Sequence, residues 1–257
     1  MTLEAGLPWL LALLLGSVRS AAWLSVSPPF STRAIPGTVK VIIALALALP
    51  VTPKLAADLP EASVPALIGA VVLQALAGAA LGFLTYLLFA CVQAAGDLID
   101  LFGGFSIAAG YDPLSMSQTS IFGRFHQLLA VVLLFTTNAH LLVIRGFLTS
   151  YDSLPATGGV ALPRLEQLLL TGMGQFFLSA LEIAAPLVAV LFLADVALGL
   201  LTRVSPQLNA FSLGFPVKIL TTLTLIGFTF PLLPGIVENI ADAGTRAMLA
   251  LLGTDAS

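Results

Sequence analysis

Long apolar runs, separated by short interruptions rich in proline and glycine, dominate this chain. A helix that crosses a bilayer needs about 20 mostly apolar residues. Six segments approach or exceed that, at roughly Leu7–Trp23, Lys40–Val51, Val64–Val92, Phe125–Phe147, Met173–Leu201 and Phe211–Leu233. They are unequal. The second is short, with Pro36 and Pro50 as its expected start and stop. The third and fifth are long enough to tilt or to project beyond the hydrocarbon. Such inequality points away from a simple six-helix bundle and towards hairpins bent around partner subunits. The pattern predicts an all-α membrane protein of about six apolar helical segments, forming one membrane unit over residues 1–257.

The interruptions are chemically distinct. "SVSPPFSTRAIPG" (Ser25–Gly37) is a turn-rich connection whose Pro28–Pro29 pair prevents the first helix from continuing. "PVTPKLAADLPEASVP" (Pro50–Pro65) and "SYDSLPATGGVALP" (Ser150–Pro163) separate later segments. The N-terminal "LPWLLALLLGSV" looks like the apolar core of a signal peptide. Glu4, however, stands where a basic region belongs, and no lysine or arginine precedes Arg19, so a retained first helix is expected. Basic residues are sparse. Arg19, Arg33, Lys40, Arg124, Arg203 and Lys218 lie in or beside odd-numbered connections, against Lys54, Arg145 and Arg164 for even-numbered ones. The positive-inside rule then leans towards both termini outside the cytoplasm.

Composition reinforces the membrane reading. The chain is 58% hydrophobic and 9% charged, whereas soluble domains carry about 25% charged residues. So few charges cannot cover a water-facing surface. A net charge of -3 without a basic cluster excludes a nucleic-acid partner. The single cysteine, Cys91, excludes an internal disulfide and any multi-cysteine metal site, and reads as a small buried hydrophobe. No G-x-S-x-G, H-E-x-x-H or P-loop is present, so neither an enzyme nor a cofactor is expected. His126 and His140 are 14 residues apart, near one helical face but about 21 Å apart along the axis. One straight helix cannot clamp a haem iron with both, and there is no third histidine. They are expected to be hydrogen-bonded at interfaces. Asp97 and Asp100 share a helical face but lack further ligands for a metal, and read as a solvated helix end.

Ionisable groups in apolar segments are costly and face protein or water. Glu182 and Asp195 lie in segment five and Lys218 in segment six. A secondary transporter would use such acids for proton or sodium coupling, with a kink at Pro186. The other reading pairs these groups across a protein interface. In "QALAGAALGF", Gly78 and Gly82 are four apart and Gln74 lies four before Gly78, a spacing that lets another helix approach closely.

"GGFSIAAGYDPLSMSQTS" (Gly103–Ser120) carries far less charge than an ordinary solvent loop between two greasy segments. Gly103, Gly104 and Gly110 admit many backbone states. Phe105, Ile107 and Met116 suit a constriction, and Ser106, Ser115, Ser117 and Ser120 tolerate wetting. Asp112-Pro113 restricts the backbone where the mobile part would end. The loop is read as a pore plug, against the alternative of a surface turn.

The most specific stretch is "ADVALGLLTRVSPQLNAFSLGFPVKILTTL", Ala194 to Leu223. Its Leu198, Gly199, Leu200, Arg203, Pro206, Gln207, Asn209, Phe211, Gly214, Pro216 and Lys218 resemble the C-terminal signature of the flagellar biosynthetic protein FliR family. Arg19, Pro28, Pro36, Gly78, Gly82, the loop ending in Asp112-Pro113, and Glu182 with Ala185-Pro186 follow in the family's order. The resemblance covers nearly the whole chain. It implies a subunit of an inner-membrane export gate in the flagellar basal body, passing unfolded flagellar proteins. The implied partners are FliP-like and FliQ-like subunits around a central pore, an FlhB-like protein at the entrance, and membrane lipid. The implied fold is built from bent helical hairpins within a helical hetero-oligomer, with the glycine-rich loop as plug. It assigns Gln74, Gly78, Gly82, Glu182, Pro186, Arg203, Pro206, Asn209, Pro216 and Lys218 to assembly or gating. Gln74 stands where the family usually has glutamate, and brings a hydrogen-bonding group without a negative charge.

Overall fold

Without water, backbone donors and acceptors must be satisfied inside the segment that carries them, which makes apolar runs helical. The computed structural model describes residues 3–60, 63–106, 120–154, 162–205 and 210–252, and these contain helices but no strand. α1 spans Leu3–Val26 and α2 spans Gly37–Ala48, directly after Pro36. Pro50 does not end the second segment. It sits early in a 3-10 turn, Leu49–Val51, where its missing N–H costs nothing, and α3 (Thr52–Leu55) extends the run. Gly37–Leu55 is thus 19 residues, long enough to cross a membrane.

α4 runs unbroken over Val64–Gly103 for 40 residues. At 1.5 Å per residue that is about 60 Å, twice the hydrocarbon thickness of about 30 Å. α5 (Ile121–Thr136) and α6 (Ala139–Ser153) replace the expected fourth span by two helices bent 80° apart. The break falls at Asn138, whose left-handed φ of 60° an L-residue adopts at some cost and asparagine tolerates best. α7 covers Leu162–Val204 in 43 residues, with Pro186 inside it. α8 (Ala210–Thr229) passes through a 3-10 turn, Phe230–Leu232, into α9 (Leu233–Leu252). That last helix lies beyond the sixth sequence segment. It buries Val237, Ile240, Ala241 and Gly244 at helical spacing and exposes Glu238, Asp242 and Arg246. Among the described residues, five helical runs are long and apolar enough to cross a membrane, six if the bent pair is taken as one span.

The helices form two packed units. The first comprises Met1–Leu88, Asn138–Met173 and Asn239–Ser257; the second comprises Phe89–Thr137 and Gly174–Glu238. In the first, α1 packs on α2 and α3, with Gly16 facing Ala48 and Leu55. Trp23 is fully buried there and stacks on Phe147 at 4.5 Å between ring centroids. In the second, Phe125 meets Phe230 at 5.6 Å, and Gly214 faces Leu198. Large apolar side chains remain outside the packed cores, among them Leu170, Phe177, Leu181, Phe192 and Leu200 on α7 and Leu220 and Phe228 on α8. A surface this greasy belongs to a membrane protein.

Candidate functional site: a buried arginine clamp and the stem of the glycine-rich loop

The first unit is organised around one charge. Arg19 is fully buried on α1. Its Nε donates to Gln74 Oε1 (2.6 Å), Nη1 to the Ser150 carbonyl (3.0 Å), and Nη2 to the Leu154 carbonyl (2.8 Å). Its guanidinium carbon lies 4.3 Å from the centre of the Tyr151 ring. The Tyr151 hydroxyl donates to the Gly16 carbonyl (2.7 Å) and lies 2.9 Å from Ser20 Oγ. Ser150 and Leu154 sit at the C-terminal end of α6, where carbonyls lack helical partners and the dipole favours a cation. One guanidinium therefore ties α1, α4 and α6 together.

The spacing of Gln74, Gly78 and Gly82 has its reason here. A Cβ at Gly78 would strike the Arg19 carbonyl, and one at Gly82 would come to 2.9 Å from the Trp23 carbonyl. These glycines let α4 lie against the backbone of α1 within the same chain. Gln74, fully buried, supplies the acceptor that points at Arg19. The sequence marked Arg19 as a flanking charge and a landmark of the family resemblance, without its buried partners Ser150 and Tyr151. The available signal was a lone arginine inside "LLLGSVRSAAWL", since a charge in an apolar run needs a buried partner.

In the second unit the two ends of the glycine-rich loop are held side by side. Asp100, in the last turn of α4, is 3% exposed. Its Oδ2 accepts from the Ser120 hydroxyl and from the Phe122 amide (3.1 Å). Ser120 in turn caps α5, its Oγ accepting from the Gly123 amide at 2.8 Å. The expectation of a solvated acidic pair is corrected for Asp100. Asp97 is exposed, but Asp100 is buried because the N-terminus of α5 supplies its donors. Gly104 adopts φ +83°, a conformation that glycine enters freely, and faces Phe215. Gly103 leaves room for Thr222, and Phe105 meets Phe122 edge-on at 5.0 Å. Ser106 is exposed. Ile107, Gly110, Asp112, Pro113 and Met116 lie outside the described residues.

The remaining predicted positions are scattered. Lys218 pairs with Asp195 at 2.5 Å between α8 and α7. Glu182 is exposed on α7, 13 residues before Asp195, which is about 20 Å along a continuous helix. The two acids of the transporter reading are therefore not brought together, and one of them is neutralised. Pro186 and Pro216 are exposed within helices, and Arg203 is exposed in the last turn of α7. Pro206 and Asn209 lie outside the described residues. His126 is buried, its Nδ1 2.8 Å from the Phe122 carbonyl, whereas His140 is on α6 beyond the 80° bend. The straight helix assumed for the two histidines does not exist.

Arg19, the α4 glycines and the loop stem all lie within residues 10–244, the stretch that matches the model of the bacterial export proteins, family 1. The chain belongs to that family. It is 36% identical over 242 residues to the flagellar biosynthetic protein FliR of Escherichia coli (strain K12), covering 93% of this chain and 92% of that protein. Against FliR of Bacillus subtilis (strain 168) identity is 33% over 186 residues, 70% of this chain and 72% of the relative. Against the surface presentation of antigens protein SpaR of Salmonella typhimurium it is 30% over 232 residues, 90% and 88% respectively. As a family 1 export protein, the chain is a membrane component of a type III export apparatus. The match takes in most of α1 and of α9 as well as the signature around Arg203 and Lys218.

Proposed function

We propose that this export protein is a subunit of a flagellar-type export gate in the bacterial inner membrane, within the flagellar basal body. With FliP-like and FliQ-like subunits it surrounds a pore for unfolded flagellar proteins, and an FlhB-like protein adjoins the entrance. Its exposed apolar helices meet lipid and these neighbouring subunits. The chain performs no chemistry of its own, and the energy for transport comes from elsewhere in the apparatus. Membership of the bacterial export proteins, family 1, supports the export role. The observation that carries the gating role is the stem of the 103–120 loop, whose two ends are pinned together through Asp100 and Ser120.

A closed gate must stop ions and water yet open for an extended polypeptide. Apolar side chains in a narrow ring exclude water, as hydrophobic constrictions do in channels. Few charges leave the passage indifferent to the sequence in transit. Deleting part of Ile107–Tyr111 in the full complex is expected to leave assembly intact while raising ion leakage, read as conductance or as growth under salt stress. A shortened variant that assembles and stays as tight as the parent removes the gating role and leaves a connector.

A further inference from the structure

We propose that the exposed face of α7 around Glu182 is a docking surface for a helix of a neighbouring subunit that carries an arginine at the same depth. This inference rests on the chain's proposed place in a multi-subunit gate, and names the chemistry of one contact within it. Glu182 lies inside the apolar run Leu169–Val204 and is exposed, with exposed apolar neighbours at Leu178, Leu181 and Val190. An acid in such surroundings needs protein or water beside it. The same helix meets that need elsewhere, where Asp195 takes Lys218 of α8 at 2.5 Å. Among the described residues, Glu182 has no such cation. A second acceptor lies on the same residue. Pro186 stands inside α7, exposed, four residues after Glu182, and has no N–H to return to the Glu182 carbonyl. A guanidinium, with five donors in a fixed fork, serves a carboxylate and a carbonyl together better than one ammonium does. Arg19 already does this within the chain, donating to the Gln74 side chain and to two main-chain carbonyls. Half-buried Ser179 and Ala185, and exposed Ala189, keep the face low enough for a helix to approach.

Length decides that protein, and not lipid alone, covers this face. Exposed large apolar residues run along α7 from Leu170 to Val204, about 51 Å at 1.5 Å per residue. The hydrocarbon is about 30 Å thick. At a tilt of about 40°, the upper end of the usual range, the run still projects about 39 Å. Lipid tails leave part of it uncovered, and a bare apolar run of that size in water marks an interaction site. A second copy of this chain is a poor occupant. Copies inserted in the same orientation bring Glu182 to the depth of Glu182, and like charges facing each other oppose the contact. The only cation in Leu169–Val204 is Arg203, about 32 Å further along the helix. The face therefore calls for a cation from a different subunit.

The test uses the full chain co-expressed with FliP-like and FliQ-like subunits. A photo-reactive amino acid at position 189 is expected to join α7 to a helix of one of these subunits. Mass spectrometry of the product then locates an arginine within about one helical turn of the Glu182 depth. Glu182→Arg is expected to lower the yield of purified complex at least ~10-fold, as losing one partner of a buried charge pair does. Glu182→Gln, which keeps an acceptor, is expected to fall between that variant and the parent. Exchanging the charges, with Glu182→Arg here and glutamate in place of the located arginine, is expected to recover most of the yield. A chain that merely misfolded would not recover. Parental yield in Glu182→Arg overturns the proposal. So do cross-links to lipid or to a second copy alone, a joined helix without arginine, and a charge exchange that recovers nothing. If the parent chain does not assemble with these subunits at all, the gate-subunit reading fails. If it assembles and the Glu182 outcomes fail, that reading stands and only this contact is lost.

Discussion

Replacing Arg19 with alanine removes the hydrogen bonds of one buried charge to Gln74, to the carbonyl and hydroxyl of Ser150 and to Leu154, and the packing of that charge on Tyr151. Hydrogen bonds to charged groups contribute about 1.5–3 kcal/mol each, but these belong to one guanidinium and do not add. The change also strands the Gln74 amide oxygen and two carbonyls at the end of α6, at about 1–3 kcal/mol for each acceptor that stays dry. Water entering the vacated space recovers part of this, because the cavity would be polar and roomy. Breaking a buried charged network costs about 3–5 kcal/mol in comparable cases, and that is the expected loss. Against a total stability of about 5–15 kcal/mol it is decisive. Arg19→Lys keeps the charge but cannot reach three acceptors in different directions with one ammonium, so it is expected to recover less than half. The assay is the midpoint of heat-induced dissociation of the purified complex in detergent, with yield as a second measure. A midpoint for Arg19→Ala within a degree of the parent's would refute the reasoning, and an equal loss for Arg19→Lys would show that fit rather than charge matters.

Further predictions follow from the same contacts. Gly78→Val places side-chain atoms on the Arg19 carbonyl and is expected to cost at least the ~1–3 kcal/mol of ordinary overpacking. The Gly174→Ala control, which meets open space, is expected to leave yield unchanged; equal behaviour of the two would remove the close-approach role of the α4 glycines. Lys218→Ala leaves Asp195 without its cation in an apolar region. It is expected to lower complex yield, and Lys218→Ala/Asp195→Ala to restore much of it; failure of the double variant to recover would mean that Lys218 has a separate task.

Much of the architecture was legible along the chain. Apolar runs of spanning length follow from the bilayer's thickness alone, and Pro36 marks the start of α2 as its restricted backbone requires. Other punctuation misled for local reasons. Pro50 reads as a stop, yet in the first turn of a 3-10 segment its absent donor is not missed. Phe125–Phe147 reads as one span because no proline or glycine breaks it at the centre. The break is made instead by Asn138 in a left-handed conformation, which hydropathy does not register. α9 was overlooked because its polar face lowers its apolar signal, although its buried positions keep helical spacing.

The candidate site divides along the same line. Residue types and spacing established that α4 carries a face smooth enough for another helix, and that a loop poor in charge joins two greasy segments. Those properties are local, and a sequence displays local properties directly. Which partner fills the smooth face, and what holds the loop, depended on residues far apart in the chain. Arg19 meets Gln74 across 55 positions and Ser150 across 131. Asp100 and Ser120 flank the loop at a separation of 20. Burial turned Asp100 from an ordinary helix-end acid into a cap, because only the folded chain brings the amide of Phe122 to its carboxylate. A buried charge is tolerated only where its partners arrive, and their arrival is a property of the tertiary structure.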